Sequence, residues 1–183
     1  DGKKYELGRV GRYKYNKKLA LATRIAGNVA AEDVVNEDGE ILVAKGEKIS
    51  LETANKIQNS GINVVYLAYT DEDGTARSFK CIGNNTVDLD AFVNVNPREI
   101  GVLEKVYYPE LKALMDEITD EKELILAIQA DLDKLVYKHI TLDDIVSTVS
   151  YNLGLRYGFG TCDDIDHLGN RRGDGRDESY RLL

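Results

Sequence analysis

The hydrophobic and polar positions change period along the chain, and the change divides it. Between residues 29 and 107 the apolar residues come in short runs separated by turn residues, which predicts strands; beyond Pro109 they recur every three or four positions, which predicts helices. Val34-Val35 and Ile41-Leu42-Val43 flank a polar stretch whose Asp38-Gly39 marks a hairpin turn. Lys45-Gly46-Glu47 predicts a second turn. Ser50 has the form of an N-cap for a helix carrying Leu51, Ala54 and Ile57 and stopped by Gly61. Ile62 to Leu67 is a continuous apolar run and predicts a buried returning strand. Ser78–Ile82, Thr86–Val95 and Ile100–Tyr107 are further strand candidates, punctuated by Gly83-Asn84-Asn85 and Pro97.

The helical part begins at Pro109, with Leu111, Leu114, Met115 and Ile118 forming one stripe. Asp120 caps a second helix whose apolar positions are Leu124, Ile125, Ile128, Leu132, Leu135 and Val136. Thr141 caps a third, with Ile145, Val149 and Leu153 along its expected inner face. Glu117, Asp120, Glu121, Glu123, Asp131 and Asp133 then fall on outward faces. The fold class is α+β: a β-rich first part with one short helix over residues 1–108, a three-helix segment supporting a loop over 109–172, and a divergent or engineered tail over 173–183.

Ahead of both parts, residues 1–18 read as an extended arm. Gly8 and Gly11 interrupt any helix, and Tyr13 and Tyr15 alternate with Lys14 at a strand-like period, so one tyrosine should face inward and the other outward. Such interleaving serves either stacking on nucleic acid or an edge strand that buries its rings. The arm is expected to lie on the body of the protein.

Charge sharpens this picture. The chain is 43% apolar and 31% charged, an ordinary soluble mixture, with a formal net charge of −8. Residues 1–24 hold eight Lys or Arg against Asp1 and Glu6, a local balance of +6, which leaves −14 for the rest. A basic arm on an acidic body suits local phosphate contact, with Arg9, Arg12, Lys14 and Lys17 as candidates. Cys81 and Cys162 have no zinc-like spacing and read as free thiols. No apolar run is long enough to span a membrane, and a cytoplasmic location is expected. Asp71-Glu72-Asp73-Gly74 lacks the length and closing Glu of a calcium loop and reads as a solvated hairpin tip.

The densest chemistry stands in Asp163-Asp164-Ile165-Asp166-His167-Leu168-Gly169-Asn170-Arg171-Arg172. No packed helix or strand needs that composition. It fits a metal site, a set of charge pairs fixing a bend, or a surface that reads nucleic acid. Asp163, Asp164, Asp166 and His167 would supply hard ligands and one imidazole, the basis for an alternative reading as a free-standing metal-dependent phosphoesterase. Against it, Arg171 and Arg172 neutralise the carboxylates, and the other histidine, His139, sits in a stretch that reads as helical surface.

This decapeptide resembles, residue for residue, a motif of the bacterial RNA polymerase β subunit. Tyr5 to Leu19 resembles the β segment that precedes the motif, and Ile140 to Tyr151 resembles the helix leading into it, so the resemblance runs in family order over residues 3–172. A β subunit is several times longer, and the chain is expected to be a piece of one. After Arg172 the sequence Gly173-Asp174-Gly175 departs from the family pattern.

The resemblance implies a part of the β lobe, one wall of the DNA cleft of a nucleotidyltransferase. Magnesium in that family is held by the β′ subunit, so the resemblance implies no catalytic residue, metal ligand or cofactor here. Its implied partners are DNA, the remainder of the β subunit, β′, the α subunits and a sigma factor; a regulator bound to the lobe's outer face is a compatible further role. Within the motif, Ile165, Asp166 and Arg171 match positions that contact the non-template strand of the open promoter, with Arg172 beside them. The chemistry agrees, since a carboxylate accepts two hydrogen bonds from the N1 and N2 edge of an unpaired guanine, and Ile165 and Arg171 can pack on a base or hold the backbone.

Overall fold

A computed structural model describes residues 7–161. Within them the α+β class holds, with helices at both ends of a set of small antiparallel sheets and two hydrophobic cores that follow one another along the chain.

The first core forms around the predicted hairpin and helix. β1 (Val34–Val35) pairs with β2 (Ile41–Val43) across the Asp38-Gly39 turn, where Gly39 takes the positive φ that such turns require. α3 (Leu51–Gln58) starts at Ser50, whose hydroxyl accepts from the Thr53 N–H at 3.0 Å. It buries Ala54, Ile57 and Gln58 against α2 (Leu21–Ile25). β3 (Val64–Thr70) and β4 (Ala76–Ile82) pair without a register break from Val64↔Ile82 to Thr70↔Ala76. Arg77 reaches back to Asp71 at 2.8 Å, so the acidic turn is a charge-paired hairpin tip. Ile25, Ile49, Ile57 and Leu67 are fully buried at the centre, each worth roughly 1.5 to 3 kcal/mol of hydrophobic stabilisation.

The second core departs further from expectation. Of the predicted strand at Thr86–Val95, only β5 (Thr86–Val87) is extended; Leu89–Ala91 is a 3-10 turn that buries Leu89 and Val93 one helical turn apart. Of Ile100–Tyr107, only β6 (Val106–Tyr107) is a strand, paired to β5, because Gly101 breaks the run at φ +86°. Both runs have the apolar content of strands, but their buried residues are spaced for turns. α4 (Tyr108–Glu117) carries Pro109 in its first turn, and Asp120 caps α5 (Glu121–Ala130). The expected continuous helix to Val136 stops at Asp131 and restarts as α6 (Leu132–Leu135), which brings Leu124, Ile128 and Leu135 onto Leu111.

The two terminal helices reverse the sequence reading. Residues 8–19 are not an extended arm: α1 (Gly8–Leu19) is a helix, with Gly8 at φ +61° at its start and Gly11 inside it. Its buried residues Arg12, Asn16 and Leu19 repeat at four and three positions, a helical face built mostly from polar side chains. Tyr13 is exposed and Tyr15 half-buried through helical geometry rather than strand alternation. The helix does lie on the body, as expected, and the Leu7 N–H reaches the Lys138 carbonyl at 2.7 Å.

α7 (Leu142–Leu155) has the predicted Thr141 cap, completed as a capping box by Asp144. Its predicted inner face is its outer one. Asp144, Ser147, Ser150 and Gly154 are buried, while Ile145, Val149 and Leu153 face outward.

Candidate nucleic-acid interface

A buried ion pair ties α1 to α7, the helix that precedes the acidic-basic motif in the sequence. Arg12 of α1 donates from Nη1 to both carboxylate oxygens of Asp144 on α7, at 2.9 and 2.8 Å. Its remaining donors go to main-chain carbonyls: Nε to Tyr137 at 2.9 Å and Nη2 to His139. Asp144 also accepts from the Thr141 N–H at 3.0 Å and from Asn84 Nδ2 at 3.2 Å. A buried charge pair needs such saturation to offset its desolvation, and here both partners are almost fully enclosed.

A second polar cluster stands beside it. Arg24 of α2 reaches the Ile82 carbonyl and donates to Ser150 Oγ at 3.1 Å; burial lowers its pKa below the ordinary guanidinium value. Ser147 Oγ donates to the carbonyls of Ile82 at 3.1 Å and Leu19 at 3.2 Å. The polar face of α7 is therefore tied to α1, α2 and the end of β4 through side-chain hydrogen bonds.

The chain leaves α7 through an aromatic lock. Phe159 stacks on Phe79 at 5.2 Å between centroids, Tyr157 lies 4.8 Å from Tyr69, and Tyr151 Oη donates to the Thr161 carbonyl at 2.6 Å. Gly158 and Gly160 hold positive φ on either side of Phe159, which the sharp reversal requires. Gly154 gives the ring its room, since a Cβ there would stand 3.2 Å from Phe79. This lock fixes the path of the chain as far as Thr161.

The motif residues Ile165, Asp166, Arg171 and Arg172, with Asp163, Asp164 and His167, lie outside the described residues. The candidate phosphate contacts divide. Arg9, Lys14 and Lys17 are exposed on α1, whereas Arg12 cannot meet a phosphate, because its guanidinium is enclosed and committed to Asp144, Tyr137 and His139. Lys17 also borders a cleft of about 560 Å³ shared with Tyr13, Arg98 and Lys105. Asp88, Asp90 and Glu104 line the same cleft and balance its cations, so it is not a phosphate pocket. Lys105 is already paired to Asp88 at 2.6 Å.

His139 is half-buried in the connection between α6 and α7, its ring against Tyr137, and not on a helix as the sequence suggested. Among the described residues no group of three His, Cys, Asp or Glu is arranged to hold a metal ion, and Asp144, the deepest carboxylate, is occupied by Arg12.

Sequence reasoning missed Asp144, Ser147, Ser150 and Arg24 as organising residues. The available signal was polar residues at helical spacing in both helices, Arg12 to Asn16 and Asp144 to Ser147 to Ser150.

No family model matches the chain. Comparison with curated proteins is decisive: the DNA-directed RNA polymerase subunit beta of Clostridium acetobutylicum is 50% identical over 173 residues, 94% of this chain. The chain is a homologue of one segment of the RNA polymerase β subunit. The β subunits of Clostridioides difficile and Clostridium tetani match over the same length at 47% and 49% identity. The chain spans 14% of the length of these relatives. Two of the three stretches that resemble β subunits, Tyr5–Leu19 and Ile140–Tyr151, contain Arg12 and Asp144. They are far apart in sequence and joined in space by that ion pair, with the residues between them forming the two cores.

Proposed function

We propose that the chain is part of the β lobe of a bacterial DNA-directed RNA polymerase and forms one wall of its DNA cleft. The observation that carries this reading is identity to clostridial β subunits along nearly the whole chain. In this role the chain performs no bond-making step. It positions DNA within a nucleotidyltransferase whose magnesium is held by the β′ subunit, and it assembles with the remainder of β, β′, the α subunits and a sigma factor in the cytoplasm. Among the described residues no helix is long and apolar enough to cross a membrane.

The working surface is the motif after Thr161. Residues 1–108 and 109–172 act as one lobe, with 173–183 outside the family pattern. Asp166 accepts from the N1 and N2 edge of an unpaired guanine on the non-template strand, Ile165 packs on the base, and Arg171 and Arg172 hold the backbone. Arg9, Lys14 and Lys17 add diffuse attraction for phosphate. The aromatic lock and the Arg12–Asp144 pair give the motif a rigid base, which base reading requires.

The test is a chimeric polymerase in which this sequence replaces the matching segment of a clostridial β subunit. The expected result is an assembled enzyme that transcribes from a promoter. A chimera that does not join the α and β′ subunits would refute the reading. The phosphoesterase alternative predicts divalent-metal affinity in the isolated chain, with metal lost as the carboxylates and imidazole protonate at acid pH.

A further inference from the structure

α7 is mounted with its polar face inward. Asp144, Ser147 and Ser150 are enclosed and hydrogen-bonded to Arg12, Arg24 and the carbonyls of Leu19 and Ile82, so the helix cannot roll to hide its apolar side. That side carries Leu142, Ile145, Val146, Val149 and Leu153, and Tyr157 extends it; Ile145 and Val149 are 52% and 53% exposed. Ile145, Val146, Val149, Leu153 and Tyr157 of the stripe, with Tyr69 and Phe79 of the β3–β4 hairpin, wall a groove of about 530 Å³. Among the described residues Lys80 is its only charged lining residue. Six large apolar side chains on one continuous face exceed what scattered surface hydrophobes account for.

We propose that this groove is the docking site for an amphipathic helix from elsewhere in the β-subunit polypeptide, an inference that rests on the polymerase reading above. Three observations select that occupant. The relatives are about seven times longer than the matched segment, so most of a β subunit lies outside this chain and is available to cover it. The exposed positions 142, 145, 146, 149 and 153 form ridges at helical spacing, a surface into which the ridges of a second helix can pack. Lys80, an exposed residue of the lining, favours an occupant with an acidic residue flanking its apolar stripe.

Hydroxyl-radical footprinting of the isolated chain and of the chimeric polymerase tests the proposal. Leu142, Ile145, Val149, Leu153 and Tyr157 should react freely in the isolated chain and several-fold more slowly in the assembled enzyme. Val149→Asp should leave the melting temperature of the isolated chain unchanged and weaken assembly of the chimera by about tenfold or more. An assembled, active chimera whose stripe stays fully reactive would overturn the docking site while leaving the polymerase reading intact. Protection in the isolated chain that grows with its concentration would make the occupant a second copy and also overturn it. A chimera that fails to assemble even without the substitution would remove the polymerase reading and this inference with it.

Discussion

Arg12 and Asp144 stand 132 positions apart in sequence and 2.8 Å apart in space, and the carboxylate they share with Thr141 and Asn84 leaves no unsatisfied oxygen. This pair closes the described chain, since it holds the first helix against the last. Truncating Arg12 to Ala would leave Asp144 charged in an enclosed site and free the Tyr137 and His139 carbonyls. The expected loss is about 3 to 5 kcal/mol, read by urea denaturation. Arg12→Lys keeps the charge but not the fork, and it should fall between wild type and Arg12→Ala. Equal stability of all three proteins would show that the pair does not organise the fold.

Gly61, in the turn that follows α3, takes φ +79°, and a Cβ there would clash with the Tyr108 ring at the start of α4. Gly61→Ala combines a left-handed backbone with a clash, and it should cost about 2 to 4 kcal/mol. Adding Tyr108→Ala removes the clash but not the φ penalty, so the double variant should lose less than the two single losses combined. Strict additivity in thermal unfolding would count against the contact.

Much of the first core was legible because its signals are local. The Asp38-Gly39 turn, the Ser50 cap and the runs at Ile62–Leu67 and Ser78–Ile82 each carry their own geometry, although the first strand starts two residues later than its run, at Val64. The terminal helices were not legible, because hydrophobic periodicity tracks burial only when the buried face is apolar. In α1 and α7 the inward faces are Arg12 with Asn16 and Asp144 with Ser147 and Ser150, paired across the chain by contacts that no local pattern contains. Gly8 and Gly11 then suggested an extended arm, and Ile145, Val149 and Leu153 suggested an inner face. The strand candidates at 86–95 and 100–107 failed for a different reason: short apolar runs do not distinguish strands from buried turns. The candidate site was legible in composition, and Arg12 was misassigned because a guanidinium suits a phosphate and a buried carboxylate equally well.

Cys81 is enclosed at the centre of the first core, and burial raises its thiol from an ordinary 9.0 to about 11, against a smaller opposing pull from Arg24. The folded protein therefore keeps a proton that the unfolded chain releases. Stability should be insensitive to this group below pH 9 and fall as pH rises toward 11, by up to about 3 kcal/mol. In a Cys162→Ser background, Cys81→Ala should flatten that decline. The Tyr107 hydroxyl, raised by burial and by its hydrogen bond to Asp143, adds a loss of the same sign that begins at its ordinary 10.0 and so steepens the upper end of the range. Urea midpoints measured between pH 8 and 11 check the slope, and a rising midpoint would contradict it.

In the proposed polymerase role Asp166 meets an unpaired guanine of the non-template strand, and its substitution isolates that contact. Open-complex lifetimes of the chimeric polymerase should be measured on promoters carrying each of the four bases at the non-template position facing the motif, with Asp166 intact and as Asp166→Ala. The predicted result is a preference for guanine of about tenfold with Asp166, lost in the variant, as expected for one paired hydrogen-bond contact worth roughly 1 to 3 kcal/mol. Equal lifetimes on all four bases with Asp166 intact, or an equal loss on all four in the variant, would contradict it.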